Sequence, residues 1–395
     1  MTSPTGSHEL PPRFSSAPPR TRRRRGVRAL LLTGGALVAL SAGIGVHTAA
    51  QLGYDDARDG FAAAARGAGV AEESLDAQVR IAQDARDLSL ALGDDPAGLV
   101  PEDARIEVER IGTDLDASLA EAADARDDAT PPPPRKPFWA WEAWGAADAL
   151  QDAATAAEEH AGDLRSIEKR LSTTADDLED RSVAALAVSV DAARAAEAEN
   201  VSARNEDVIA LRNAISDLDR VLADPAIVRV DGPAAFRTLA AEVQDLRASA
   251  AAELAEKDGP LSAARLEVEA FARSLAPGVL MDFDWAVLVN GLGVDGWLSG
   301  LTWWWYADGG YATIELSDSI AEQWPSDASR ALVAHEVGHA ITVRCFSMYD
   351  TTDPDATEAW ATAWAISMGF HDPANGTSAY GPPPEEMIAA AAACR

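Results

Sequence analysis

The stretch His335-Glu336-Val337-Gly338-His339 constrains this chain more than any other in its 395 residues. Positions i and i+4 of a helix share one face, so the pentapeptide demands a helix that turns both imidazoles toward one point. Two imidazoles at that spacing suit a single metal ion. Glu336 follows the first of them and projects sideways, where a general base would stand. The flanks agree with a helix. Trp324-Pro325-Ser326-Asp327 supplies a breaker and a cap, with Ser326 or Asp327 as N-cap. Ala328 to Cys345 then runs without proline, and Leu332, Val333, Val337, Ala340 and Ile341 form the apolar body of a buried helix. Gly338 opposes helix formation by about 1 kcal/mol relative to alanine. A small residue there lets another backbone pack close.

A catalytic metal site needs a third protein ligand and one open position. Asp353-Pro354 is a helix start, with cap and first-turn proline in register, and the spacing predicts a helix from Pro354 to about Met368 that stops at Gly369. Glu358 lies just past its first turn, 19 residues after His339, and is the expected third ligand. Asp355 is the fallback, better placed as a carboxylate at the helix N-terminus. In this pattern the chain resembles the gluzincin branch of the zincin metallopeptidases, over roughly Ala276 to the C-terminus. The resemblance implies Zn²⁺ held by His335, His339 and Glu358, and peptide-bond hydrolysis with Glu336 as general base. It also implies a small twisted sheet before the motif helix, with an edge strand that binds extended peptide. That branch often has an aspartate four residues after the glutamate. This chain has Thr362, so a ligand histidine must be oriented differently, by the threonine hydroxyl or by another carboxylate.

The residues upstream of the motif suit such a sheet. Gly296 to Tyr306 is aromatic and β-prone, Ala307-Asp308-Gly309-Gly310 is a hairpin turn, and Tyr311 to Ser317 alternates as a strand. By the resemblance, the second of these strands is the one expected at the edge, pairing with substrate. The tryptophans serve either as core of a small domain or as part of a hydrophobic cleft. Tyr349, His371 and Tyr380 are candidates, by residue type, for stabilising an oxyanion; His371 is preferred because it follows the Glu358 helix. Cys345 and Cys394 permit one pairing, a disulfide if the domain is exported and free thiols if it is cytosolic.

The N-terminus points to export. Residues 1–25 form a basic tail ending in four arginines, and 26–50 read as a transmembrane signal-anchor helix with the N-terminus cytoplasmic. A cleavable signal ending near His47-Thr48-Ala49-Ala50 is the alternative. The other 367 residues carry 26 basic and 63 acidic side chains, a net charge of −37, which argues against nucleic acid or anionic membrane surfaces as partners of the exported part. The Ala, Arg and Asp bias fits a GC-rich bacterial genome.

Between anchor and motif the chain is helical. Residues 51–130 and 138–275 carry coiled-coil spacing, separated by a stiff Pro-rich linker at 131–137. Val201, Val208, Leu211, Ile215, Leu218 and Leu222 fit one heptad seam; Phe236, Leu239, Val243, Leu246 and Ala250 fit another. Breaks are expected at Gly93-Asp94-Asp95-Pro96, Asp224-Pro225, Asp231-Gly232-Pro233 and Asp258-Gly259-Pro260. Phe138, Trp139, Trp141 and Trp144 read as an aromatic plug into a neighbouring helix.

The chain thus reads as mostly α: an N-terminal transmembrane helix, a long helical stalk and a C-terminal α+β zincin-like domain over 276–395 with a small sheet. The reading is a membrane-anchored extracytoplasmic zinc peptidase acting on peptide or protein. The stalk either spaces the enzyme from the membrane or binds partners, self-association included. The alternative is a coiled-coil surface scaffold whose C-terminal domain binds metal or peptide without turnover.

Overall fold

A computed structural model describes residues 23–126 and 134–395, with side chains from residue 40 onward. Six long helices come first: α1 (Arg23–Gly93), α2 (Glu102–Arg126), α3 (Ala140–Glu199), α4 (Asn205–Leu222), α5 (Val228–Glu256) and α6 (Ser262–Leu275). Strands β1 (Leu280–Ala286), β2 (Gly300–Trp305) and β3 (Tyr311–Ser317) follow. The helices α7 (Asp318–Glu322), α8 (Asp327–Ala340), α9 (Thr342–Cys345), α10 (Pro354–Ser367), α11 (Thr377–Tyr380) and α12 (Glu385–Ala391) complete the chain. The chain divides into two compact units, residues 1–76 with 122–168 and residues 77–121 with 169–395.

In the first unit α1 and α3 pack through a seam of mostly small residues. Ala50, Tyr54, Ala57 and Phe61 meet Ala143, Ala147 and Leu150, each set at spacings of three and four. Tyr54 donates its hydroxyl hydrogen to the Pro134 carbonyl at 2.7 Å, fixing the chain just before α3. Phe138, Trp139, Trp141 and Trp144 are exposed rather than plugged into a helix, because α3 gives Ala143 and Ala147 to that contact instead. The anchor expected over 26–50 falls mainly on residues whose side chains lie outside those described. Among the described residues no helix is long and apolar enough to cross a membrane.

In the second unit α4 and α5 form a hairpin around the expected seams. Val208, Leu211, Ile215 and Leu218 are buried, as are Phe236, Leu239, Val243, Leu246 and Ala250. Val201 lies outside the seam, exposed in the turn before α4. Turns fall at Gly93–Pro96, Asp224–Pro225 and Asp258–Pro260. The break expected at Asp231-Gly232-Pro233 does not occur, and α5 runs through Pro233. Pro233 lies in the second turn, so it forfeits only one hydrogen bond near the helix start. Gly232 serves packing: a Cβ there would stand 3.1 Å from Leu88 Cδ1.

The C-terminal sheet has the order β1-β3-β2, with β1 parallel and β2 antiparallel to β3. The edge strand beside the motif helix is therefore β2, and β3 is central. The reason is β1, whose Met281 and Phe283 alternate with Asp282 and Asp284 and occupy the flank of β3 that would otherwise be free. Ala312, Ile314 and Leu316 of β3 join Met281 and Phe283 in a core shared with Val333, Val337 and Ala340 of α8 and Trp360 and Trp364 of α10. Val268 and Ala272 of α6, upstream of residue 276, belong to the same core. Cys345 and Cys394 form a disulfide, and Trp364 Nε1 donates to the Cys394 carbonyl at 3.0 Å. The disulfide closes a 49-residue separation. Replacing both cysteines by serine is expected to cost about 3–4 kcal/mol in guanidinium unfolding of this unit; a change below about 1 kcal/mol would mean that other contacts hold the C-terminus unaided.

Candidate metal centre

Helix α8 begins where its cap dictates: Ser326 Oγ accepts the Ser329 amide. One turn from its end, His335 and His339 present their Nε2 atoms 3.2 Å apart. Helix α10 starts at Asp353, whose side chain accepts the Asp355 amide with Pro354 in the first turn, and this register carries Glu358 inward. Glu358 Oε2 lies 3.1 Å from His335 Nε2 and 3.3 Å from His339 Nε2. These three residues form a group able to hold a metal ion. The fit is quantitative, because a tetrahedral ion with N and O ligands at about 2.0–2.1 Å separates them by about 3.3 Å. Asp355 lies exposed on the first turn of α10, away from this triangle.

The surroundings fix each ligand. His335 Nδ1 donates to the Asn375 carbonyl at 2.9 Å, with Thr362 Oγ1 at 3.4 Å, so the lone pair is on Nε2 and faces the triangle. Asn375 thereby fills the orienting role that Thr362 plays only weakly. Its carbonyl is held by a capped turn: Asp372 accepts the Ala374 amide, Asn375 Nδ2 donates to Phe370 O, and Asn375 Oδ1 accepts from Thr377. A Cβ at Gly376 would stand 2.7 Å from the His335 ring, and Gly376 has φ +99°, so glycine is required there twice over. The His339 ring stacks on Trp304 of β2 at 5.8 Å, and the His335 ring lies parallel to Tyr380 at 6.0 Å.

Glu336 is buried under β2. Thr302 donates to its Oε2 at 2.7 Å, and a Cβ at Gly300 would lie 2.6 Å from its Cδ, so only glycine lets the strand cross there. Burial pushes the Glu336 carboxyl up; neighbouring His335 and the Thr302 bond pull it down without cancelling that effect. Glu358 shifts the other way. Burial opposes its charge, yet the hydrogen bonds and charge of His335 and His339 hold it well below the usual carboxylate range. Two carboxyls close together are thus driven apart in basicity, one protonatable and one ionised.

A cleft of about 370 Å³ opens at His335 and Glu336, lined also by Trp297, Leu298, Leu332, Ser378 and Tyr380. Burial and then the Glu358 charge raise the Tyr380 phenol to about 12. Tyr349 is also raised to about 12 by burial, but its hydroxyl bonds Thr342 and its ring stacks on Trp360, so it packs α9 against α10. His371 lies exposed in the loop after α10 and does not line the cleft. Sequence reasoning passed over Gly300, Thr302, Asn375 and Gly376. An Asn-Gly pair after Asp372-Pro373 is a strong turn signal, though nothing local says that the turn meets a histidine. No family model, curated protein or solved structure matches this chain.

Gly338 determines how close α10 comes: a Cβ there would stand 2.8 Å from both Cα and O of Ala361. Gly338→Ala is therefore expected to destabilise the second unit by about 1–3 kcal/mol, although alanine is the better helix former. Gly67→Ala on α1, where nothing lies within 4 Å, should instead stabilise by up to about 1 kcal/mol. Thermal unfolding of the two variants gives the comparison, and equal signs would contradict the packing account.

Proposed function

We propose that this chain is a zinc-dependent peptidase, anchored by its N-terminal helix with the C-terminal region outside the cytoplasm. The observation that carries the reading is the His335, His339 and Glu358 triangle with a separate buried carboxyl, Glu336, at the floor of an open cleft. Two nitrogens and one carboxylate oxygen are the ligand set of catalytic rather than structural zinc. Bound zinc would supply Lewis acidity, acidifying water and polarising a carbonyl. The disulfide supports an oxidising compartment.

The chain's own residues then have distinct tasks. The free edge of β2 offers backbone donors and acceptors to an extended peptide, laid antiparallel or parallel across the cleft. Thr302 holds Glu336 Oε2, leaving Oε1 to take the proton of the attacking water and deliver it to the departing amine. Burial raises the basicity of Glu336 above that of an ordinary carboxylate, the direction that favours taking a proton from water. Tyr380, stacked beside His335 and protonated at neutral pH, is the donor best placed for the oxyanion. Trp297, Leu298 and Leu332 favour an apolar side chain next to the scissile bond.

Cleavage of an unfolded protein substrate and metal content, measured together, test the reading. Glu336→Gln should keep about one zinc per chain and lose roughly 10²–10⁴-fold in kcat. His335→Ala should lose both. Tyr380→Phe should keep zinc and lose about 10²-fold in kcat with KM little changed. Wild-type protein that carries zinc and cleaves nothing across a broad peptide library would instead identify a binding scaffold.

A further inference from the structure

Four large aromatics at the start of α3 are exposed in the first unit. Phe138, Trp139, Trp141 and Trp144 are 72%, 50%, 64% and 49% exposed. They form an ordered set: Trp139 stacks on Trp141 at 5.1 Å, Phe138 meets Trp139 edge-on at 5.0 Å, and Phe138 reaches the His47 ring of α1 at 6.0 Å. Gln51 Nε2 donates to the Pro137 carbonyl at 3.1 Å and holds the set at this level of α1.

That level is where the apolar part of α1 ends. Residues 29–46 contain no charged side chain, and Leu40, Ile44 and Val46 are exposed just before His47. From Arg28 to His47 a helix rises about 28 Å, close to the roughly 30 Å of a bilayer's hydrocarbon core. The path of the chain makes the placement more telling. Helix α2 ends at Arg126, paired with Asp76, whereas α3 begins beside residues 47–54 of α1. These two levels lie about 22–29 residues apart along α1, roughly 33–43 Å of helix length. Phe138, Trp139, Trp141 and Trp144 thus stand at the end of the apolar span.

We infer that Phe138, Trp139, Trp141 and Trp144 form an interfacial belt that seats the first unit in the headgroup layer of the outer leaflet. Indole rings favour that layer because it solvates an apolar body and an N–H together. With the belt in the headgroups, α1 and α3 leave the membrane together as a pair, from two points instead of one. The stalk is then held in orientation as well as tethered. The inference rests on the membrane-anchor reading and is independent of the metal chemistry.

The full chain, reconstituted in phosphatidylcholine vesicles, provides the test. Co-flotation with vesicles reports the anchor. Quenching of tryptophan emission by lipids brominated near the headgroup or near the chain end then reports the belt. Three of the eleven tryptophans belong to it, so near-headgroup bromines should remove about a quarter of the emission and chain-end bromines distinctly less. A variant with Trp139, Trp141 and Trp144 all changed to Phe keeps the aromatic surface and should lose that quenching. Failure to float overturns the anchor and the belt with it. Flotation with equal quenching in both proteins, or with none, overturns the belt alone. Chemical cross-links between copies through this patch, without quenching, would show that a second chain covers it.

Discussion

The contact between Gly338 of α8 and the Ala361 backbone of α10 is the constraint on which the metal centre depends. Each helix is short, and each is positioned by its own cap. Only their close approach brings a carboxylate from one within 3.1–3.3 Å of two imidazoles on the other. The approach is backed on both sides. Trp360 and Trp364 are fully buried behind α10, and the sheet face formed by Ala312, Ile314 and Leu316 lies against α8. Dense packing makes such a pair stiff, which favours fixed separations among the three ligand atoms.

Charge buried at the back of the sheet fixes β1, and through it the edge strand. Lys257 Nζ lies 3.3 Å from Glu253 and 3.1 Å from Glu269, all almost fully buried. Glu269 also accepts the Trp285 indole N–H at 3.1 Å and stands 3.4 Å from Arg273. Burial raises the Glu253 carboxyl and lowers the Arg273 guanidinium, the signature of charges removed from water. Such a network adds little net stability over an apolar core, but leaving any member unpaired costs about 3–5 kcal/mol. It therefore specifies one arrangement of α5, α6 and β1. That arrangement leaves β2 as the sheet's outer strand, with Gly300 and Thr302 over Glu336.

Much of the centre was legible in the sequence because its signals are local. The His335–His339 spacing, the Ser326 and Asp353 caps and the position of Glu358 each depend on a few neighbouring residues. The seams from Val208 to Leu218 and from Phe236 to Ala250 read correctly for the same reason. Val201, by contrast, falls in the turn before α4, and Leu222 is only half-buried at its end. The break expected at Pro233 is absent because proline is tolerated so near a helix start. What escaped the reading is non-local. Asn375 orients His335 across 40 residues, and Thr302 holds Glu336 across 34. The central place of β3 follows from β1, which pairs with it from about 31 residues upstream. No spacing rule carries such pairings, since they follow from how layers stack.

Zinc-edge X-ray absorption of the metal-loaded full-length protein tests the central claim most directly. The account predicts two imidazoles, one carboxylate oxygen and one further light scatterer that is not protein, all near 2.0–2.1 Å. Sulfur at about 2.3 Å, or a fourth protein ligand closing the site, would contradict it.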